Sequence, residues 1–131
     1  MNIKFVKNTP KIWLKKFPWK KQKDHKYSRG KLVVLGSQKH MTGATILSTE
    51  SALRVGTGSV KILSSKQTLP IYSTKFPSAL KEEINNLKFL GRFINKEKHS
   101  TYLIGPGAGS NNLTKQKTRL ILKKIKNVVV D

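Results

Sequence analysis

The alternation of hydrophobic and polar residues predicts a strand, a helix and a second strand in the first half of the chain. Residues 31–35 form a short apolar run that ends at a glycine, which is typical of a buried strand entering a turn. In residues 44–55, apolar side chains recur every three or four positions, and Gly56 follows as a C-terminal cap. The predicted apolar face of this helix comprises Ile46, Leu47, Ala52, Leu53 and Val55. Residues 59–63 predict a second strand, which completes a βαβ unit with parallel strands.

The second half of the chain repeats this alternation less regularly. Residues 64–80 contain two prolines and are interpreted as a connection. One or two helices are predicted over 80–94, with a break near Gly91, and a strand is predicted over 101–104. A helix follows that Asn112 or Thr114 caps and that ends near Lys126, and the last predicted strand is 128–130. The sequence therefore predicts an α/β fold with four parallel strands covered by helices on both faces.

Residues 1–24 differ from the rest in composition and hydrophobic pattern. They are predicted to be a leader or linker, with the folded domain at 25–131. The leader mixes lysines with aromatic residues and two prolines, and it has no sustained helical or strand period. We expect it to be extended, with Trp13, Phe17 and Trp19 filling surface grooves. The alternative is a stacking platform for single-stranded nucleic acid.

Charge and composition add one strong but ambiguous signal. The 131 residues include 27 Lys and Arg against 6 Asp and Glu, a formal net charge of +21. Such a charge favours polyanions, yet 23 of the basic residues are lysines and Arg is the residue that reads base edges. A nucleic-acid partner is therefore the second interpretation. The absence of cysteine excludes disulfides, thiolate zinc sites and a cysteine nucleophile.

Two glycine-bearing segments follow predicted strands and are the candidate ligand sites. Gly36-Ser37 leads through a loop to Thr42-Gly43-Ala44 at a helix start, and Gly105-Pro106-Gly107 follows the strand at 101–104. Carboxyl ends of parallel strands share one edge of the sheet, and a helix N-terminus attracts anions. Neither segment has the spacing of a P-loop or a dinucleotide fingerprint, so tight turns remain the alternative.

Titratable residues form no recognisable catalytic set, and we assign neither a catalytic residue nor a metal ligand in this sequence. His25 and Tyr27 are interpreted as partly buried side chains that hold the leader, with a proton carrier as the alternative. His40 lies near the candidate loops without a visible partner. Asp131 stands at a predicted strand end, where it would orient a substrate or merely cap the next element. The chain has no apolar run long enough to span a bilayer, and we expect a cytoplasmic protein.

Several segments, in order and spacing, resemble the ADP/ATP-dependent NAD(P)H-hydrate dehydratases. These segments are His25-Lys26-Tyr27-Ser28-Arg29-Gly30, Leu32-Val33-Val34-Leu35-Gly36-Ser37, Met41-Thr42-Gly43-Ala44, Ala52-Leu53-Arg54-Val55-Gly56-Thr57-Gly58 and Ile104-Gly105-Pro106-Gly107. The resemblance implies a ribokinase-like fold and the dehydration of hydrated NADH or NADPH, with hydrolysis of ATP or ADP assisted by Mg²⁺. It also implies that Ala44 and Gly107 contact the hydrated nucleotide, with Gly43 and Gly105 beside them and Gly36, Ser37 and Asp131 as further candidates.

The same resemblance implies an NAD(P)H-hydrate epimerase as a fused or separate partner and a homo-oligomer for the complete domain. The family's later histidine segment, its lysine-glycine nucleotide-binding stretch and its Gly-Thr-Gly-Asp motif have no counterpart in these 131 residues. We therefore expect the chain to correspond to the amino-terminal portion of the domain and to lack turnover by itself. The alternatives are a non-catalytic remnant that acts as a partner subunit and a basic nucleic-acid binder.

Overall fold

A computed structural model describes residues 5–131, in which five parallel strands form one sheet. The strands are β1 (Lys31–Leu35), β2 (Ser59–Ser64), β3 (Leu80–Glu83), β4 (Thr101–Ile104) and β5 (Val128–Val130). The helices are α1 (Pro10–Trp13), α2 (Thr42–Val55), α3 (Leu69–Lys75), α4 (Leu87–Lys96) and α5 (Asn112–Lys124), and 3₁₀ turns lie at Leu14–Lys16 and Lys39–Met41. The α/β prediction is confirmed, with one strand more than expected.

The strand order β3-β2-β1-β4-β5 places β1 at the centre. On β1, Val34 lies opposite Ile62 of β2 and Leu103 of β4. The chain moves outward from β1 to β3 on one side and then returns to build β4 and β5 on the other. The order therefore reverses between β1 and β4, and in open α/β sheets such a reversal opens a crevice at the carboxyl ends of the strands.

Two apolar layers sandwich the sheet, because side chains alternate between its faces along each strand. Val33 and Leu35 face the layer that contains α4 and α5, whose centre includes Phe93 and Ile121. Val34 faces the opposite layer, in which residues of α2 and α3 pack. The central strands are therefore buried on both faces, and the polar edge of the sheet is left for a site.

The segment 64–80, which was predicted to be a connection, contains helix α3, and the additional strand β3 begins at its end. Pro70 lies in the first turn of α3, where proline is well tolerated. Residues 80–83 are β3 and not the start of a helix, so the helix predicted over 80–94 is wrong in that part. β3 reads as polar because it is an edge strand, and Glu82 on it lies 3.7 Å from Lys61 of β2. The predicted break near Gly91 is absent, since α4 continues through it.

Helix α2 packs on the sheet through three of its five predicted apolar residues, Ile46, Ala52 and Leu53. Leu47 and Val55 are 67% and 64% exposed, whereas Thr45 and Thr49 are fully buried. The hydroxyl of Thr45 accepts a hydrogen bond from the Ser37 amide at 2.9 Å, so the helix docks through a polar contact that hydrophobic periodicity does not reveal. Gly56 ends the helix in the left-handed conformation, as predicted.

The caps of the last two helices are asparagines. Asn86 Oδ1 accepts from the Phe89 amide at 2.8 Å and starts α4, and Asn111 Oδ1 accepts from the Thr114 amide at 2.9 Å and starts α5. The cap of α5 is therefore one residue earlier than the earlier of the two predicted positions. An Asn at N-cap satisfies one of the orphan amides of the first turn.

The leader is not extended throughout, because residues 10–16 form α1 and a 3₁₀ turn. Its rings contact one another in tilted pairs, with centroids of Trp13 and Phe17 5.9 Å apart and those of Phe17 and Trp19 4.6 Å apart. Trp19 is 61% exposed, so the aromatic residues fill surface grooves only in part. Residues 1–4 of the predicted leader lie outside the described residues. The division at residue 24 stays a prediction.

Candidate functional site

The loops that follow β1 and β4 are joined by three hydrogen bonds at the carboxyl edge of the sheet. Ser37 Oγ donates to the Pro106 carbonyl oxygen at 2.9 Å, and the Gln38 amide donates to the Gly107 carbonyl oxygen at 2.9 Å. The Gln38 side-chain amide donates to the Ala108 carbonyl oxygen at 3.0 Å. The two glycine-bearing segments singled out in the sequence therefore form one continuous surface at the strand-order reversal.

Gly107 fits this surface only because it has no side chain. Its φ is +68°, and a Cβ there would lie 2.8 Å from the Ser37 Cβ and 2.9 Å from the Met41 Cβ. The loop after β4 thus packs directly on the residue that precedes α2. Ala44, the other candidate contact, is half-buried in the first turn of that helix.

The start of α2 presents backbone amides without a side-chain cap. Met41 occupies the N-cap position and supplies no acceptor, and the first turn contains no acidic residue. Gly43 is exposed, and a Cβ there would meet nothing within 4 Å. Free amides and the helix dipole favour an anionic group at such a position. This end of the site can therefore accept a phosphate.

Gly36 and Ser37 connect the loop after β1 to β2, to α2 and to the loop after β4. The Gly36 amide donates to the Leu63 carbonyl oxygen at 2.7 Å, and a Cβ at Gly36 would lie 2.8 Å from the Ser64 Cβ. The Ser37 side chain is buried, and its hydroxyl is shared between Thr45 and Pro106. Both residues therefore have complete structural explanations within the chain.

Gly105 and Asp131 lie next to each other at the other side of the crevice. The Asp131 amide donates to the Ile104 carbonyl oxygen at 3.0 Å, which extends the pairing of β5 with β4. Gly105 has a φ of +131°, and a Cβ there would lie 2.7 Å from the Asp131 amide nitrogen. Gly105 is thus required by the close approach of the last residue, and the exposed Asp131 carboxylate stands beside the loop.

A cavity of about 180 Å³ lies on the α5 side of the joined loops. Apolar residues including Leu35, Leu63 and Ile104 line it, together with Lys39, Ser65 and Lys117. Burial lowers the pKa of the Lys117 amino group below its usual value. Sequence reasoning missed Lys117, although its spacing of three from Thr114 and four from the buried Ile121 places it on the inward face of α5.

The three histidines do not converge on the site. His25 and Tyr27 are exposed, so the prediction that they are partly buried is wrong. His25 Nδ1 accepts from the amides of Tyr27 and Ser28, each at 3.3 Å, in a turn at the opposite end of the strands. His40 lies in the exposed 3₁₀ turn before α2, and His99 is exposed.

Within residues 5–131, no group of three His, Cys, Asp or Glu side chains is placed to hold a metal ion. Glu83 and Asp131 end β3 and β5, which are the two outer strands of the sheet. Four strand spacings of about 4.8 Å separate them, roughly 19 Å. Mg²⁺ is usually held by one or two neighbouring carboxylates together with phosphates. Glu83 and Asp131 therefore cannot hold one Mg²⁺ together; at most one of them would share the ion with phosphates, and no chemical step is derived through it.

Comparison with known proteins decides the family. A family model described as NAD(P)H-hydrate dehydratase matches residues 32–131. The chain belongs to the NAD(P)H-hydrate dehydratase family. The matched region contains the whole sheet after the first residue of β1 and both joined loops. The family resemblance recognised from the sequence segments is confirmed.

Relatives of this NAD(P)H-hydrate dehydratase chain agree with that result. An ADP-dependent (S)-NAD(P)H-hydrate dehydratase of Listeria monocytogenes is 28% identical over 118 residues, which cover 90% of this chain and 42% of the relative. The chain thus spans less than half the length of that relative. No helix in residues 5–131 is long and apolar enough to cross a membrane.

Solved structures share the fold of this family member. A ribokinase-like superfamily protein of Enterococcus faecalis superposes with a TM-score of 0.76 at 18% identity, over 96% of this chain and 45% of that protein. An ADP/ATP-dependent NAD(P)H-hydrate dehydratase of Bacillus subtilis, co-crystallised with ATP and Mg²⁺, gives 0.73 at 23% identity, over 87% and 41%. The ribokinase-like α/β fold is confirmed.

Proposed function

We propose that this chain provides the substrate-binding strand ends of an enzyme that dehydrates hydrated NADH or NADPH back to the working cofactor. The observation that carries the proposal is the hydrogen-bonded junction of the β1 and β4 loops within the region that matches the family. The junction lies where open α/β sheets bind their ligands.

In this proposal the hydrated nucleotide lies over Ala44 and Gly107, with Gly43 and Gly105 beside it. The uncapped amides of α2 supply the positive end of a helix dipole, which suits the diphosphate of a dinucleotide. Because Gly107 has no side chain and a left-handed backbone, the β4 loop packs directly against Met41. In the proposal the ligand lies on the surface that these two residues form. These residues bind and orient the substrate, and none of them transfers a proton.

ATP or ADP with Mg²⁺ belongs to the proposed reaction as the source of phosphate hydrolysis. The Bacillus subtilis neighbour was crystallised with ATP and Mg²⁺. In residues 5–131 no three carboxylate or histidine side chains form a metal-binding group, and residues 1–131 contain no Gly-Thr-Gly-Asp motif. We propose that residues 1–131 bind the hydrated cofactor but do not convert it.

A cytoplasmic location and an NAD(P)H-hydrate epimerase partner, fused or separate, complete the proposal. The location rests on the substrate, which is a damaged form of a soluble cofactor. The partner rests on the leader, in which Asn8-Thr9-Pro10, Trp13 and Phe17-Pro18 resemble the stretch that joins this domain to an epimerase domain in fused bacterial forms. A homo-oligomer of the complete domain stays a prediction.

The test is a conversion assay with hydrated NADPH, ATP or ADP, and Mg²⁺. Residues 1–131 are expected to bind hydrated NADPH without restoring NADPH absorbance, while the Listeria monocytogenes relative restores it under the same conditions. Restoration by residues 1–131 alone would overturn the proposed inactivity. Failure to bind hydrated NADPH would overturn the proposed substrate.

One observation favours a second candidate, a nucleic-acid binder. The clustered rings of Trp13, Phe17 and Trp19 lie in a lysine-rich leader, and exposed aromatic residues among basic ones can bind single-stranded nucleic acid. A steep salt dependence and a Kd below about 10⁻⁶ M at physiological salt would support this role. We expect weaker, nonspecific binding, because the basic residues are mostly lysines spread over the surface.

A further inference from the structure

Lys117 differs from the other inward-facing lysines of the chain. Three lysines in residues 5–131 are half-buried, and two of them have acceptors. Lys61 Nζ lies 2.9 Å from Glu97 Oε1, and Lys81 Nζ donates to the carbonyl oxygens of Phe76 and Ala79 at 2.7 Å. Lys117 makes no hydrogen bond or ion pair with any described residue. A half-buried lysine side chain loses part of its hydration, and a negatively charged partner would offset that loss.

The cavity beside Lys117 contains no carboxylate that could act as that partner. Its lining has no Asp or Glu, and it brings a second cation, Lys39, from the loop after β1. Ser65 contributes a hydroxyl at the rim, and this hydroxyl shares one hydrogen bond with Thr68 at 3.1 Å. The floor is apolar. Two lysines beside an apolar cavity lining favour a negatively charged ligand.

The helix terminus next to the cavity does not explain this arrangement. Asn111 already accepts from the Thr114 amide, and the Thr114 hydroxyl donates to the Ala108 carbonyl oxygen at 3.0 Å. The free donors of the cavity are therefore side chains, Lys117 and Lys39 above all. They belong to α5 and to the loop after β1, and neither Ala44 nor Gly107 lines the cavity.

The volume limits the ligand to a small group. About 180 Å³ is below the range of roughly 300–1,000 Å³ that is typical of drug-sized ligands. Lysine binds phosphate as a compact point charge, and two lysines suit the double charge of a phosphoryl group.

We propose that Lys117, Lys39 and Ser65 form a binding site for a phosphoryl group in this cavity. The ammonium of Lys117 gains the acceptor that the protein does not supply. The group comes either from inorganic phosphate or from a nucleotide whose remaining part extends out of the crevice. The site is independent of the proposed contacts at Ala44 and Gly107, so each can fail without the other.

The test is a titration of ¹⁵N-labelled residues 1–131 with inorganic phosphate and, separately, with AMP. Both ligands are expected to shift the amide signals of Lys117, Lys39 and Ser65 in a saturable way. Lys117→Gln should weaken binding about tenfold or more, the loss expected for one charge-assisted hydrogen bond. Lys123→Gln, which removes an exposed charge from the same helix, should change it less than about twofold. Tighter binding of AMP identifies a nucleotide as the source, and equal binding identifies free phosphate.

Three results of the titration would overturn the proposal. They are the absence of saturable shifts around Lys117, equal weakening in both variants, and shifts that reflect only an adventitious ion at scattered lysines. A second variant keeps the test independent of ligand choice. Lys117→Met should raise the thermal midpoint without phosphate, because it removes an unpaired ammonium, and should abolish stabilisation by phosphate. A fall in the midpoint without phosphate would show that Lys117 has a partner within the protein and would equally overturn the proposal.

Discussion

The Ser37 hydroxyl lies 2.9 Å from the Pro106 carbonyl oxygen, across 69 positions of sequence. This bond joins the loop after the central strand to the loop after its neighbour on the other side of the order reversal. Ser37 is buried, and its hydroxyl also contacts that of Thr45 on α2. One side chain therefore sets the relative position of both loops and of the helix start that forms the proposed site.

Loss of this hydroxyl should loosen the site. Ser37→Ala leaves the Pro106 carbonyl and Thr45 hydroxyl without their partner, and we expect the free energy of unfolding to fall by about 1–3 kcal/mol. Urea denaturation measures the change. Ser110→Ala removes an exposed hydroxyl from the next part of the loop and should change stability by less than about 0.5 kcal/mol. Equal effects of the two variants would contradict the role of Ser37.

Two glycines of the site should respond in opposite ways to a methyl group. Gly107→Ala places a Cβ against Ser37 and Met41 at a positive φ, and it should lower the free energy of unfolding by about 1–3 kcal/mol. Gly43→Ala enters open space in the first turn of α2 and should raise stability by up to about 1 kcal/mol. Thermal unfolding of both variants tests this.

The same pair separates stability from binding. If hydrated NADPH lies over Gly43, the methyl group of Gly43→Ala meets the ligand and weakens binding although the fold is intact. Unchanged affinity in Gly43→Ala would remove that residue from the proposed contact surface.

Acid should weaken the ion pair that joins β2 to the end of α4. Burial by itself raises the pKa of the Glu97 carboxyl, but the hydrogen bond and charge of Lys61, with Ser100, outweigh burial and hold the pKa below its usual value. A carboxyl whose pKa is lower in the folded state stabilises the fold above its unfolded pKa, and this stabilisation is lost as the pH falls through the folded pKa. We expect the free energy of unfolding to decrease as the pH drops below about 4.3.

The matched variants are Glu97→Gln and Glu50→Gln. Glu97→Gln should be less stable than the parent chain at neutral pH, and the difference should vanish in acid. Glu50 pairs with Arg54 on an exposed helix face, and its removal should matter little at any pH. Parallel pH profiles for both variants would contradict a special role of Glu97.

Much of the fold could be predicted, because buried parallel strands leave a simple signal. The apolar run of β1 and the three valines of β5 are recognisable as strands from the sequence. β3 does not, since Lys81, Glu82 and Glu83 are half-buried at an edge where charge is tolerated. The inward face of α2 was predicted only in part, because two buried threonines lie on it beside the predicted Ile46, Ala52 and Leu53.

The site likewise has parts that the sequence predicts and parts that it does not. Glycines after strands predicted where the loops meet, because strand ends of a parallel sheet must share an edge. The partners of Ser37 could not be predicted, since Pro106 becomes its neighbour only through tertiary pairing. Lys117 was missed because lysine is ordinarily solvated, and only its acceptor-free, half-buried position distinguishes it from the other lysines.

The most direct test of the central claim is an NMR titration of ¹⁵N-labelled residues 1–131 with hydrated NADPH. We expect saturable shifts that cluster on the amides of Thr42–Ala44, Gly105 and Gly107, and their loss in Gly107→Ala at a temperature where that variant is folded. Shifts that cluster instead at the amino ends of the strands around His25 and Tyr27, or no shifts while the Listeria monocytogenes relative binds the same ligand, would contradict it.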